Sequence, residues 1–146
     1  MHRERVSENV YWFQSEIYAH VTAGVIVGPE WAVMVDTLLH PEETLLMRSF
    51  IEEELDVPVR YIINTHHHAD HIWGNCFFPG ATVISHSKCR NLMIDIGKDD
   101  LKNTQRQDPD FKNIKLVLPH FTFDQGELSV KVGKKTLVLF STPGNS

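Results

Sequence analysis

Basic residues are the minority in this 146-residue chain: 14 Lys and Arg stand against 19 Asp and Glu, a formal charge of −5. No basic block occurs, so the phosphate contacts that dominate nucleic-acid binding have no source, and nucleic acid is not an expected partner. Nor do about 18 apolar residues ever run together, which excludes a membrane-spanning helix. The opening stretch, MHRERVSENV, carries charges but no apolar segment of the kind a secretory leader needs. A cytoplasmic address is therefore expected. Cysteine is scarce as well. Cys76 and Cys89 lack C-x-x-C spacing, and they read as free or buried thiols in a reducing compartment. What is present, 42% hydrophobic, 10% aromatic and 23% charged residues, is the composition of a globular domain. A domain of this size buries roughly 70% of its unfolded surface and needs no disulfide. One domain over residues 1–146 is expected, without internal repeat or linker.

Runs rich in β-branched and aromatic residues open the chain: Val10–Phe13, Val21–Val27 and Trp31–Val35, the last two separated by Gly28-Pro29-Glu30. They predict a β-meander. From Leu38 to Leu55 the period changes. Pro41 suits a first helical turn, Glu42 and Glu43 complement its positive end, and Leu46/Phe50 and Met47/Ile51/Leu55 recur at i+4. Glu52-Glu53-Glu54 reads as a solvated face. Val59–Ile63 predicts a buried strand, Thr82–Ser85 another, and His86–Ile96 a helix. Gly97–Lys115 is polar and reads as loop with some helix. Leu128–Val132 and Thr136–Ser141 flank Gly133-Lys134-Lys135 as a hairpin. The mixed order gives an α+β class, a mixed sheet with helices on its outer face.

The Val59–Ile63 run delivers the chain into Asn64-Thr65-His66-His67-His68-Ala69-Asp70-His71. If the backbone stays extended, His66, His68 and Asp70 project to one side and His67 and Ala69 to the other. A turn after Asp70 would swing His71 toward a neighbouring point. Imidazole nitrogens and a carboxylate oxygen are ligands that zinc and iron(II) accept. The competing reading is a polar surface loop with chance histidines. The remaining histidines, His2, His20, His40, His86 and His120, are isolated and read as surface or packing residues.

The pattern H-x-H-x-D-H formed by His66, His68, Asp70 and His71 resembles the signature of the metallo-β-lactamase superfamily. Asp36, in Val35-Asp36-Thr37, is similar to that family's strand-terminal aspartate that braces the metal loop; a cap on the following turn is its structural alternative. Trp73-Gly74-Asn75 resembles the G-G-N segment. Phe123-Asp124-Gln125-Gly126-Glu127, the hairpin and Ser141-Thr142-Pro143-Gly144 resemble the approach to the P-G-H motif. The resemblance implies one N-terminal half of an αββα sandwich, with metals at the sheet edge. It departs from the family at two places. Asn145 stands where a third histidine usually completes the first site, and the second half that supplies further ligands is not in the sequence.

The implied chemistry is hydrolysis of an ester, thioester or lactam in a small-molecule substrate by metal-bound hydroxide. Zinc, one or two ions, or iron is the expected cofactor. His66 and His68 would hold the first metal, Asp70 and His71 the second, and Asp70 would also orient the hydroxide. The alternative is a catalytically silent metal-binding or interaction module, a fragment or degenerate relative lacking ligands. An inner sheet face bearing residues such as Val25, Val33 and Ile63 would need cover, from a second copy as a homodimer or from the missing C-terminal half. If Asn145 occupies a ligand position, Asn145→His raises zinc affinity in a calorimetric titration; unchanged affinity removes the residue from the site.

Overall fold

Ala32 and Met34 belong to one face of strand β4 (Ala32–Val35) and Val33 to the other, and all three are completely buried. A strand of that kind must be covered on both sides. The computed structural model, which describes residues 1–140, shows how the cover is built. Four strands, β1 (His2–Ser7), β2 (Val10–Gln14), β3 (Thr22–Val27) and β4, pair antiparallel in sequence order. From β4 onward, β5 (Val59–Asn64), β6 (Thr82–His86) and β7 (Phe121–Phe123) add in parallel, completing a seven-stranded sheet among the described residues.

Parallel neighbours need crossovers, and helices supply them. Helix α1 (Pro41–Ser49) runs into a π-helical turn, Phe50–Glu54, between β4 and β5. Short α2 (Ala69–Ile72) and a 3₁₀ turn, Trp73–Phe77, precede β6. Helix α3 (Ser87–Leu92), a π-helical turn (Met93–Gly97) and α4 (Lys98–Gln107) follow it. Met47, Phe50 and Ile51 of the first helical segment pack on Phe13, Val25, Met34, Ile62 and Val83 of the sheet. The opposite face is covered by a hairpin, β8 (Glu127–Val132) and β9 (Lys135–Phe140), whose Val130 and Val132 close over Val33, Ile63 and Ile84. Its turn is tight. Gly133 has φ +62, as the first central position of a two-residue type II′ turn requires. A Cβ there would also stand 2.7 Å from Pro29 Cδ.

The expected class, α+β with a mixed sheet, is the observed one. Several details differ. Val25 lies on the helix side and not with Val33 and Ile63, because the antiparallel register sets Val25 against Met34. Val33 and Ile63 are already buried by the hairpin. Leu38 and Leu39 stay outside α1, and Leu46 is 52% exposed, so the apolar stripe the helical segment buries is Met47, Phe50 and Ile51. The Gly97–Lys115 stretch, read as loop with some helix, is helical over Lys98–Gln107, held to the core by Leu101. Strands β1 and β7 were not expected: β1 is a fully exposed, charged edge, and β7 is three residues long. Among the described residues, no helix is long and apolar enough to cross a membrane. Ser141-Thr142-Pro143-Gly144 and Asn145 lie outside the described residues.

The carboxyl ends of the parallel strands all reach one edge of the sheet, which is where open sheets of this kind present ligand-binding loops. Asp36 follows β4, Thr65 follows β5, and Asp124 follows β7.

The two faces of the hairpin differ in what they carry. Val132→Asp, which forces an unpaired carboxylate between the layers, lowers the unfolding free energy measured in urea by about 3 kcal/mol or more, or prevents folding. Val138→Asp, on the exposed side, stays within about 0.5 kcal/mol of the parent.

Candidate metal centre

Asp36 is the first residue beyond β4, and its backbone turns into the left-handed region, φ +61, as does Leu38 at φ +67. Such conformations cost of order 1 kcal/mol or more for residues with a side chain, least for Asp and Asn, and persist where surrounding contacts impose them. Here the contacts are plain. The Asp36 N–H donates to Ile63 O at 2.8 Å, continuing the β4–β5 pairing, and the carboxylate is left buried beneath the loop that follows β5. Its Oδ1 accepts from Thr65 N (2.8 Å); its Oδ2 accepts from Thr65 Oγ1 (2.5 Å) and lies 2.8 Å from His71 Nδ1. A carboxylate only accepts, so in the neutral ring the His71 proton sits on Nδ1 and Nε2 keeps its lone pair.

A polar cluster under the same loop fixes its path. Asn75 Oδ1 accepts from Thr37 Oγ1 (2.9 Å) and Asn64 Nδ2 (3.1 Å), while Asn75 Nδ2 donates to Asn64 Oδ1 (2.8 Å). All three residues are buried, and their mutual satisfaction avoids the penalty of orphaned polar groups. Thr37 N donates to His71 O at 3.0 Å, and Thr44 Oγ1 of α1 donates to Thr37 O at 2.7 Å. Gly74 passes through this junction so closely that a Cβ would fall 2.2 Å from Thr37 O. Backbone, not glycine flexibility, makes the position intolerant.

Four imidazoles gather above these supports. The rings of His66 and His68 are 4.2 Å apart between centroids, those of His66 and His71 5.3 Å and nearly parallel. His67 stands 4.8 Å from His66 and 4.2 Å from His68. One ligand-type nitrogen from each of His66, His67 and His68 lies within 4.8 Å of the others. Asp70 flanks the group, with Oδ2 3.7 Å from His71 Nε2. Burial first, then the positive charge that His71, His68 and His67 would add, pushes the pKa of His66 below its ordinary value. His67 is pushed down likewise, by burial and then by His68. Burial also acts downward on His71, but the hydrogen bond and charge of Asp36, with Asp70 adding, outweigh it and raise the pKa. Neutral imidazoles are the form that binds a cation.

The sequence profile of the metallo-beta-lactamase superfamily matches residues 19–146. The chain belongs to the metallo-β-lactamase superfamily. Solved structures of the same fold include a metallo-β-lactamase from Cronobacter sakazakii, a HARLDQ-motif mutant, at 22% identity and TM-score 0.72 over 99% of this chain and 55% of that one. Another, from Pontibacter korlensis, is 20% identical with TM-score 0.70 over 95% of this chain and 59% of its own. A third, FIM-1 from Pseudomonas aeruginosa in a mono-zinc form, is 15% identical with TM-score 0.63, covering 88% and 53%. The chain thus spans little more than half the length of these structures.

Within this superfamily chain, the residues expected from the sequence are brought together unevenly. His66, His68 and His71 share one cluster, Asp70 borders it, and Asp36 reaches into it from β4. Asn145 lies outside the described residues. His67 departs from expectation. Strand β5 ends at Asn64, so strict alternation does not extend to His67, which packs among the rings at 8% exposure. Thr37, Thr44 and Asn64 were not singled out by sequence; nothing in their spacing marks them. The isolated histidines do hold packing or capping roles: His86 Nδ1 accepts from Lys88 N at 3.0 Å at the start of α3, and His120 Nδ1 accepts from Val83 N at 3.0 Å.

Asp36→Asn removes the acceptor shared by Thr65 and His71 and costs about 1–3 kcal/mol. Because the folded His71 pKa is raised, the ionic part of its contribution is fully present below the ordinary value of 6.5 and fades as pH rises through the folded value. Metal-free wild type and variant therefore differ most at pH 6.5 and just below, and the gap narrows at higher pH. Denaturation across that range, with NMR titration showing a lower His71 pKa in the variant, checks both parts.

Proposed function

We propose that this chain carries metal-binding machinery of a hydrolase that cleaves an ester, thioester or lactam bond of a small molecule. The cation, zinc as one or two ions or else iron, is assigned to His66, His68, Asp70 and His71. Two observations support the fit. The donors are the imidazoles and carboxylate such ions accept, and His67 Nδ1, a buried nitrogen without a partner, lies in the same cluster.

The observation that carries the reading is the Asp36–His71 contact. A metal-binding histidine usually donates its other ring N–H to a carboxylate or carbonyl, which fixes its tautomer and raises its basicity. Asp36 does this for His71 at 2.8 Å. A bound Zn²⁺ supplies a water with pKa near 7, against about 15.7 in bulk, and polarises the carbonyl oxygen it faces. This chain's own residues do the rest. Asp36 and Thr65 hold His71 in place, the depressed pKa values of His66 and His67 keep those rings unprotonated, and Asp70 accepts a hydrogen bond from the attacking water and orients it. Activity is assigned to the whole protein of which this chain supplies these residues.

Metal content after purification is measured together with hydrolysis of a generic ester, a generic thioester and a cephalosporin, with and without added Zn²⁺. Bound metal and chelator-sensitive turnover of one of the three are expected, and Asp70→Asn lowers that turnover about 10²-fold or more. Metal uptake without turnover of any of them identifies a silent binding module instead, and absence of both removes the reading for this chain.

A further inference from the structure

At the edge of the sheet opposite the histidine loop, where β4 and β5 begin, two turns interlock. In the β3–β4 turn Gly28 N donates to Trp31 O at 2.9 Å, and the β8–β9 turn presses against it from the hairpin. A Cβ on Gly28 would lie 2.9 Å from Trp31 O and 3.2 Å from Gly133 N, so backbone meets backbone with nothing between. Beside this junction is a cavity of about 220 Å³, lined by Gly28, Pro29, Glu30, Trp31, Lys131 and Gly133. None of the six has a part in the metal centre. The walls are held firmly. Trp31 packs in the layer under the hairpin, its ring edge-to-face with Tyr61 at 5.4 Å, and the Arg60 guanidinium lies 5.4 Å from the Trp31 ring centroid.

Two side chains of opposite charge line this one space, and among the described residues neither Glu30 nor Lys131 takes part in an ion pair. Drug-sized molecules fill pockets of about 300–1,000 Å³, so the occupant here is smaller than those. A simple anion would gain at Lys131 and lose at Glu30, and a simple cation the reverse; a ligand carrying both charges is favoured at both walls. Trp31 and Pro29 add an apolar surface for whatever else the ligand carries. From this we infer that the cavity binds a free α-amino acid with an apolar side chain: Lys131 receives its carboxylate, Glu30 its ammonium group, and Trp31 its side chain. The rigid junction of Gly28 and Gly133 forms the site before the ligand arrives, which reduces the ordering cost of binding. The site stands apart from the hydrolytic reading and does not depend on a metal.

The test titrates the full ¹⁵N-labelled chain with L-phenylalanine and, separately, with hydrocinnamate, which lacks the ammonium group, and phenethylamine, which lacks the carboxylate. With L-phenylalanine, saturable shifts of the Gly28 and Gly133 amides and of the Trp31 indole N–H are expected in the millimolar range, while the amides of His66 to His71 stay still. Glu30→Gln and Lys131→Gln, both at exposed positions that leave the core untouched, are each expected to weaken binding about tenfold or more, the worth of a hydrogen bond to a charged group. Hydrocinnamate or phenethylamine binding as tightly as L-phenylalanine overturns the zwitterion assignment, as does wild-type affinity in both variants. Absence of a saturable shift, or shifts confined to the histidine loop, overturns the site itself.

Discussion

The Asp36 carboxylate receives the Thr65 backbone N–H, the Thr65 hydroxyl and the His71 ring, so three groups from one loop converge on a single buried anion. That anion is presented by a residue in a left-handed conformation at the end of β4. Burying a carboxylate in this way is unfavourable unless its oxygens are fully used, and here they are. The arrangement ties the sheet to the histidine loop: without it, nothing in the β5–α2 connection would dictate which nitrogen His71 turns outward. Strain at Asp36, the tautomer of His71 and the course of the loop are therefore one structural fact seen from three sides.

Beneath that anchor the loop is held by packing that tolerates almost no change of volume. Asn64, Thr37 and Asn75 exchange hydrogen bonds among themselves, and Gly74 runs against Thr37 with no room for a methyl group. The apolar layers on either side of the sheet, Met47 and Ile51 on one face and Val130 and Val132 on the other, make the strand ends stiff platforms. Chemistry-bearing side chains sit on a short loop, and the loop sits on a rigid edge, which is how flexible rings are kept in register.

Much of this was legible in the residues themselves. The apolar run Val59–Ile63 announced a buried strand feeding the histidines, Pro41 with Glu42 and Glu43 announced the start of α1, and H-x-H-x-D-H carried the family. Alternation failed at His67 for a definite reason: the ladder stops at Asn64, and beyond it the chain no longer presents side chains by turns. Helix α4 was only partly legible, within a stretch read as loop with some helix, because Leu101 is its one buried residue and a solvent-facing helix with so few apolar contacts has a loop's composition. β1 was illegible because its side chains are all exposed, so no hydrophobic period marks it. The Asn64–Asn75 pairing joins residues eleven apart through side-chain geometry that no periodicity encodes.

The border strand has a consequence beyond the fold. β1 exposes a row of backbone amides and carbonyls at the rim of the sheet, and its first four residues are His2, Arg3, Glu4 and Arg5. A foreign strand attempting to add there would have to lay its own side chains beside ionic groups on both surfaces, giving up their hydration for no apolar gain. The opposite rim, β7, offers only three residues for docking. Sheet extension by strangers is thus discouraged at both ends, and a protein that depends on the edge of a sheet for its histidine loop is shielded from the aggregation open sheets invite.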